Sequence, residues 1–218
     1  MMGYLTIGEL LHTEDHAWEE LENMLSQGKN KSVIIPAEHD TGADTLYRLQ
    51  VSTKSYLGAV AYETAGILFD HGWITLLGAG GDGIYGSLPF WNGLLDREGV
   101  PALEGMLLVA YDAAGGFFSL NIGRFGNDGH IYYYAPDTLE WESTELAYSG
   151  FVSWLADGDL AQYYETFRWK GWQEESNGLQ PGEVFTYYPP LWTEEGSGAD
   201  SSKVKTSVIE AWNTVLGI

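Results

Sequence analysis

The sequence contains no cysteine. That excludes disulfides, thiolate metal sites and cysteine nucleophiles. Positive charge is also scarce, with 10 Lys and Arg against 31 Asp and Glu and a formal net charge of −21. A field of that sign repels a phosphate backbone, so a nucleic-acid partner is not expected. No apolar run approaches the roughly 18 residues of a membrane span, and no membrane association is expected. The first basic residue is Lys29, preceded by six acids from Glu9 to Glu22. A secretory leader needs a basic start and an apolar stretch, so the cytoplasm is the expected compartment. Neither a Gly-x-Ser-x-Gly elbow nor a His-Glu-x-x-His motif is present.

Apolar residues make up 44% of the 218 positions, enough for one sizeable core. Thr6-x-x-Glu9 has the form of a capping box. Ala17, Trp18, Leu21, Met24 and Leu25 fall on one helical face. Leu46 and Leu49 suggest a second helix. Ser55 caps a third, with Gly66 at the place of a left-handed terminator. Val33 to Ile35, Ile67 to Phe69 and Trp73 to Leu77 read as strands, and the glycine-rich stretch 78–86 as a loop.

The runs 106–111 and 117–122 flank Asp112-Ala113-Ala114-Gly115-Gly116, a hairpin signal. Ile131 to Tyr134 and Leu139 to Glu142 continue an antiparallel meander. Helices are predicted around Phe151 to Leu155, from Leu160 to Phe167, and from Val204 to Val215. Residues 194–202 have the composition of a mobile linker before that last helix. The expectation is a single α+β domain over 1–218, with a central antiparallel sheet and helices packed on it.

Several residues could carry chemistry. Asp70-His71-Gly72-Trp73 offers an acid beside an imidazole, suited to acid/base work. Neighbouring strand residues face opposite ways, however, so a turn acid and a half-buried histidine are the preferred reading. Gly72 is expected in a conformation awkward for other residues, or in close packing, and Trp73 in the core. Asp128 and His130 could share a face, but Asn127-Asp128-Gly129 is turn chemistry by itself. Two ligands do not make a metal site, and none is expected. A hydrolase would draw on Asp70, His71, Asp112 or Asp128. The loop 78–86 lacks the lysine of a phosphate cradle, and no cofactor is expected.

Aromatics reach 14%, with nine Trp. They form a large core, a protein interface or a sugar-stacking groove. Between Pro136 and Asp200 the only bases are Arg168 and Lys170. The acids there make either a solvated surface or a steering field for a basic partner. On that second reading Glu142, Trp169, Trp172, Glu174 and Glu175 are candidate binding residues.

Two long segments resemble a known family. One runs Leu57-Gly58-Ala59-Val60-Ala61-Tyr62-Glu63-Thr64 through Asp70-His71-Gly72-Trp73 to Gly78. The other is Gly158-Asp159-Leu160 through Tyr163-Tyr164-Glu165 to Arg168-Trp169-Lys170-Gly171-Trp172. With Ser87-Leu88-Pro89-Phe90-Trp91-Asn92 and Ala135-Pro136-Asp137-Thr138-Leu139-Glu140-Trp141, they resemble a bacterial domain of unknown function. Lys170 departs from it, where a proline is expected. The order of hairpin, glycine turn, Ile131-Tyr132-Tyr133-Tyr134 and helix at Phe151 resembles, by pattern alone, the SUKH superfamily. Its members are small α+β proteins, many of them immunity proteins that bind bacterial toxins. That resemblance implies a non-catalytic binding role and a basic protein such as a toxin as partner. An enzyme and a carbohydrate-binding module are the alternatives.

Overall fold

Phe117 and Phe118 are consecutive, and they belong to two different layers. Phe118 packs on Phe151 and Trp154, with ring centroids 4.9 and 6.4 Å away. Phe117 packs on Trp212 at 4.9 Å and Trp91 at 6.3 Å. Alternate side chains of a strand leave opposite faces of a sheet, so both faces here are covered.

The computed structural model describes residues 3–95 and 99–218. In chain order they form α1 (Ile7–Leu10), α2 (Trp18–Gln27), β1 (Ser32–Pro36), α3 (His39–Leu49), α4 (Tyr56–Glu63), β2 (Thr64–Phe69) and β3 (Ile74–Leu77). Next come α5 (Leu88–Trp91), β4 (Met106–Asp112), β5 (Phe117–Asn121), β6 (His130–Tyr134) and β7 (Trp141–Ala147). The chain closes with α6 (Tyr148–Asp157), α7 (Leu160–Tyr163), α8 (Trp172–Asn177), β8 (Glu183–Tyr188), β9 (Ser202–Ser207) and α9 (Val208–Leu216). Strands β1 to β7 form one antiparallel sheet in sequence order, and β8 and β9 a separate ribbon. The fold is α+β, as the alternation of strand runs and terminal helices predicts.

The predicted hairpin is β4 and β5, with Tyr111 opposite Phe117 and Leu107 opposite Leu120. Strand β6 joins the same sheet through Phe118 opposite Tyr133. The capping box forms, with Thr6 N donating to Glu9 Oε2 at 2.8 Å. Ser55 caps α4 by accepting from Gly58 N.

Four expectations are corrected. Gly66 does not terminate α4 in a left-handed turn; it lies within β2, and α4 passes into the strand through extended Thr64. A Cβ at Gly66 would meet Leu76 O at 2.8 Å and Ile84 Cδ1 at 2.9 Å, so close approach is what needs glycine. The helix expected over 160–167 stops at Tyr163, where the chain turns to bring Tyr164 and Arg168 inward. The last helix starts at Val208, because residues 202–207 pair with β8 and Ser207 caps α9. The return strand expected at 139–142 is β7, shifted to 141–147 by a turn closed between Ala135 and Glu140. Within the segment 194–202, Gly198 N bonds to Thr166 O at 2.8 Å and Ser201 Oγ to Pro189 O at 2.7 Å.

Candidate functional site

The two long sequence motifs meet at Arg168. Its Nη2 donates to Asp70 Oδ2 at 2.6 Å, with the side chains 7% and 18% exposed. The guanidinium carbon lies 3.8 Å from the Trp172 ring centroid, 4.8 Å from Trp73 and 4.9 Å from Tyr164. A planar, delocalised cation suits such a stack better than an ammonium. Burial lowers the Arg168 pKa, and Asp70 opposes that shift.

Local backbone explains how Asp70 gets there. The β2–β3 turn runs Asp70, His71, Gly72 at φ of 48°, 60° and 75°, three left-handed residues in succession. Trp73 N closes it on Asp70 O at 3.1 Å. Trp73 is fully buried, against Trp172 at 5.2 Å, Tyr164 at 5.6 Å and Trp169 at 5.9 Å. His71 is edge-on to Trp172 at 5.8 Å. Trp169 donates from Nε1 to Glu175 Oε1 at 2.8 Å.

Asp112 is joined to this assembly through Tyr164. It is fully buried and accepts four hydrogen bonds. Ala114 N and Gly116 N reach Oδ1 at 2.9 Å each. Tyr133 and Tyr164 hydroxyls reach Oδ2 at 2.7 and 3.0 Å. Burial pushes the Asp112 carboxyl above its ordinary value, and the four donors pull the other way. Burial and then the charge of Asp112 push both tyrosines well above theirs. With every lone-pair direction taken, this carboxylate ties the β4–β5 hairpin, β6 and the residue that ends α7 together, with no contact left for a substrate.

Asp128 lies near the other end of β5, beyond Asn121. Asn121 Nδ2 donates to it at 2.7 Å, His130 N at 3.1 Å and the Tyr132 hydroxyl at 2.8 Å. These bonds, that from Asn121 first, hold its carboxyl down at about 2. His130 Nδ1 is 3.8 Å away. Glu142 is exposed on the outermost strand, β7, accepting from Thr138 Oγ1 at 2.8 Å. Glu174 is exposed on α8.

The structure therefore brings Asp70 and Trp172 onto Arg168, joins His71 through Trp172, Trp169 through Trp73 and Glu175 through Trp169, reaches Asp112 through Tyr164, and leaves Asp128 and Glu142 elsewhere. Arg168 and Tyr164 were not singled out from the sequence. The available signal was one arginine within an acidic, aromatic stretch. A cleft of about 230 Å³ adjoins the assembly, lined in part by Lys31, His71, Ser176, Asn177 and Glu183. His71 Nδ1 faces Asn177 Nδ2 at 3.5 Å, while Glu183 accepts from Gln180 N and pairs with Lys205 at 3.6 Å. Among the described residues, no hydrogen-bonded nucleophile and base meet there. No group of three or more His, Asp or Glu suited to a metal ion occurs among the described residues either. No helix of the described residues is long and apolar enough to cross a membrane.

Comparison with known proteins fits these motifs. Residues 7–211 match the family described as protein of unknown function DUF2625, and the chain belongs to that family. It is 40% identical over 207 residues to the uncharacterized protein YbfG of Escherichia coli strain K12, covering 94% of this chain and 93% of that one. It is 34% identical over 187 residues to an uncharacterized protein of Haemophilus influenzae, covering 85% and 82%. No solved structure matches the chain.

Proposed function

We propose that this protein works by binding rather than by catalysis, and that its partner is a basic protein. One observation carries the reading. Of the two bases between Pro136 and Asp200, Arg168 is spent inside the fold on Asp70 and three rings, so Lys170, with Lys203 and Lys205 of the adjoining strand β9, is left to offset the more numerous acids of that stretch. Glu142, Glu174, Glu194 and Glu195 are among the acids left exposed. A predominantly acidic surface of this kind speeds encounter with an oppositely charged partner and rejects acidic competitors. The engagement of Asp70, Asp112 and Asp128 in structural hydrogen bonds supports the non-catalytic half of the reading. An immunity role is its specific form, in which the basic partner is a toxin.

The test is capture from a bacterial lysate at about 0.1 M and about 1 M salt, between which the screening length falls from roughly 10 to 3 Å. Wild type is compared with a variant carrying Glu142→Lys, Glu174→Lys and Glu194→Lys. Glu175 is spared because it accepts the Trp169 indole N–H. The reading expects basic proteins retained at low salt by wild type and lost in the variant. Retention of nothing, or equal retention by both proteins, contradicts it.

A further inference from the structure

On the sheet face opposite α6, a groove of about 240 Å³ opens between the Ala135–Glu140 turn, the β8–β9 ribbon and α9. Buried Tyr134 and Phe185, with Ala211, supply its apolar lining, and Leu139 and Trp192 stand at its edges, 36% and 54% exposed. Glu210 is the one charged side chain among the described lining residues. Its carboxylate accepts from the Thr206 hydroxyl.

Leu139 is held there at a cost. Its φ is +57°, in the left-handed region that a branched side chain disfavours. Two hydrogen bonds fix it: Leu139 N to Ala135 O at 2.8 Å and Ala135 N to Glu140 O at 3.1 Å. A strained backbone that leaves its apolar side chain 36% exposed gains less burial than a core leucine would, and such strain collects at contact sites. Exposed acids adjoin both edges in sequence, Glu140 next to Leu139 and Glu194 and Glu195 just after Trp192. Apolar anchors inside a charged rim are the usual composition of an interface centre. The sign of this rim selects what the anchor must carry beside it.

We propose that this groove is the docking site of the basic partner, taking one large apolar side chain from a segment that bears lysine or arginine next to it. The proposal rests on the reading of the protein as a binder of basic proteins. It adds the place and the anchor.

The test uses three blocked pentapeptides titrated into the full chain: Gly-Lys-Phe-Lys-Gly, Gly-Lys-Gly-Lys-Gly and Gly-Glu-Phe-Glu-Gly. The Lys-Phe-Lys peptide should bind at least about tenfold tighter than Lys-Gly-Lys, as burial of one phenyl ring implies. Trp192→Ala should erase that ratio with the melting temperature unchanged, since Trp192 is on the surface. Glu210→Gln should narrow the preference over Glu-Phe-Glu. Equal affinity for Lys-Phe-Lys and Lys-Gly-Lys overturns the groove but leaves the basic-partner reading to the lysate test. Equal affinity for Glu-Phe-Glu and Lys-Phe-Lys overturns the claimed charge selection, and so does a ratio that survives Trp192→Ala for the claimed position.

Discussion

Asp70 and Arg168 are 98 residues apart in the chain, yet their side chains are in contact at 2.6 Å, stacked over by Trp172. The pair joins the β2–β3 turn to the segment between α7 and α8. Removing one partner strands the other charge in a nearly dry site. Asp70→Asn keeps the shape and the tolerance for positive φ but removes the charge. It should cost about 2–4 kcal/mol. In a chain of this size that is a fall in melting temperature on the order of 5–15 °C. A shift of under about 2 °C in a thermal melt would mean that the pair is decorative.

Gly72 extends the same turn. A Cβ there meets nothing nearer than Ser176 O at 3.8 Å, so a substitution suffers backbone strain alone. Gly72→Val should lower stability by about 1–3 kcal/mol, and Gly72→Asn by less, because asparagine tolerates the left-handed region. Urea titration of the two variants side by side checks the order. Equal midpoints for valine and wild type would refute it.

Asp112 separates shape from charge. Asp112→Ala leaves two backbone and two phenol donors unsatisfied and should cost about 4 kcal/mol or more. Asp112→Asn should cost less, since its oxygen still accepts from Ala114 and Gly116 and both tyrosine hydroxyls can rotate to accept from its amide. The sign of the pH effect follows from the raised native pKa. Stability from this carboxyl is fully present below its unfolded value of about 3.9 and is lost as pH rises through the native one. Wild type should therefore lose stability relative to Asp112→Asn as pH rises above the unfolded value of about 3.9 toward the raised native one. A difference that stays constant, or moves the other way, contradicts the raised value.

Much of this framework is legible in the sequence, and the limits have physical causes. Gly115-Gly116 between apolar runs announces the β4–β5 hairpin, and Ser55 and Thr6 announce helix starts, because those signals are local. Strand β9 is not legible: Val204, Val208, Ala211 and Trp212 carry a helical period, and only pairing with β8 makes 202–207 extended. The left-handed Leu139 has no local signal at all, since leucine is the wrong residue for that backbone. At the site, Asp70, His71, Trp169, Trp172 and Glu175 stand out by type. They are joined through Arg168 and the rings stacked on it, by contacts across the chain that spacing does not encode.

Leu139 also yields a stability test independent of binding. Leu139→Gly removes a strained φ but also a side chain that is only 36% exposed, so the two effects oppose each other. It should leave the melting temperature within the equivalent of about 1 kcal/mol of wild type. A drop of several degrees would show that Leu139 serves the fold rather than the surface.

The central claim, electrostatic binding of a basic partner, is tested most directly by the association rate of the captured protein, measured on immobilised wild type across about 0.05–0.5 M salt. The account predicts fast association at low salt that slows at least tenfold over that range, with a shallower slope for the variant carrying Glu142→Lys, Glu174→Lys and Glu194→Lys, while dissociation changes little. A rate that is flat with salt, or the same slope in both proteins, would contradict it.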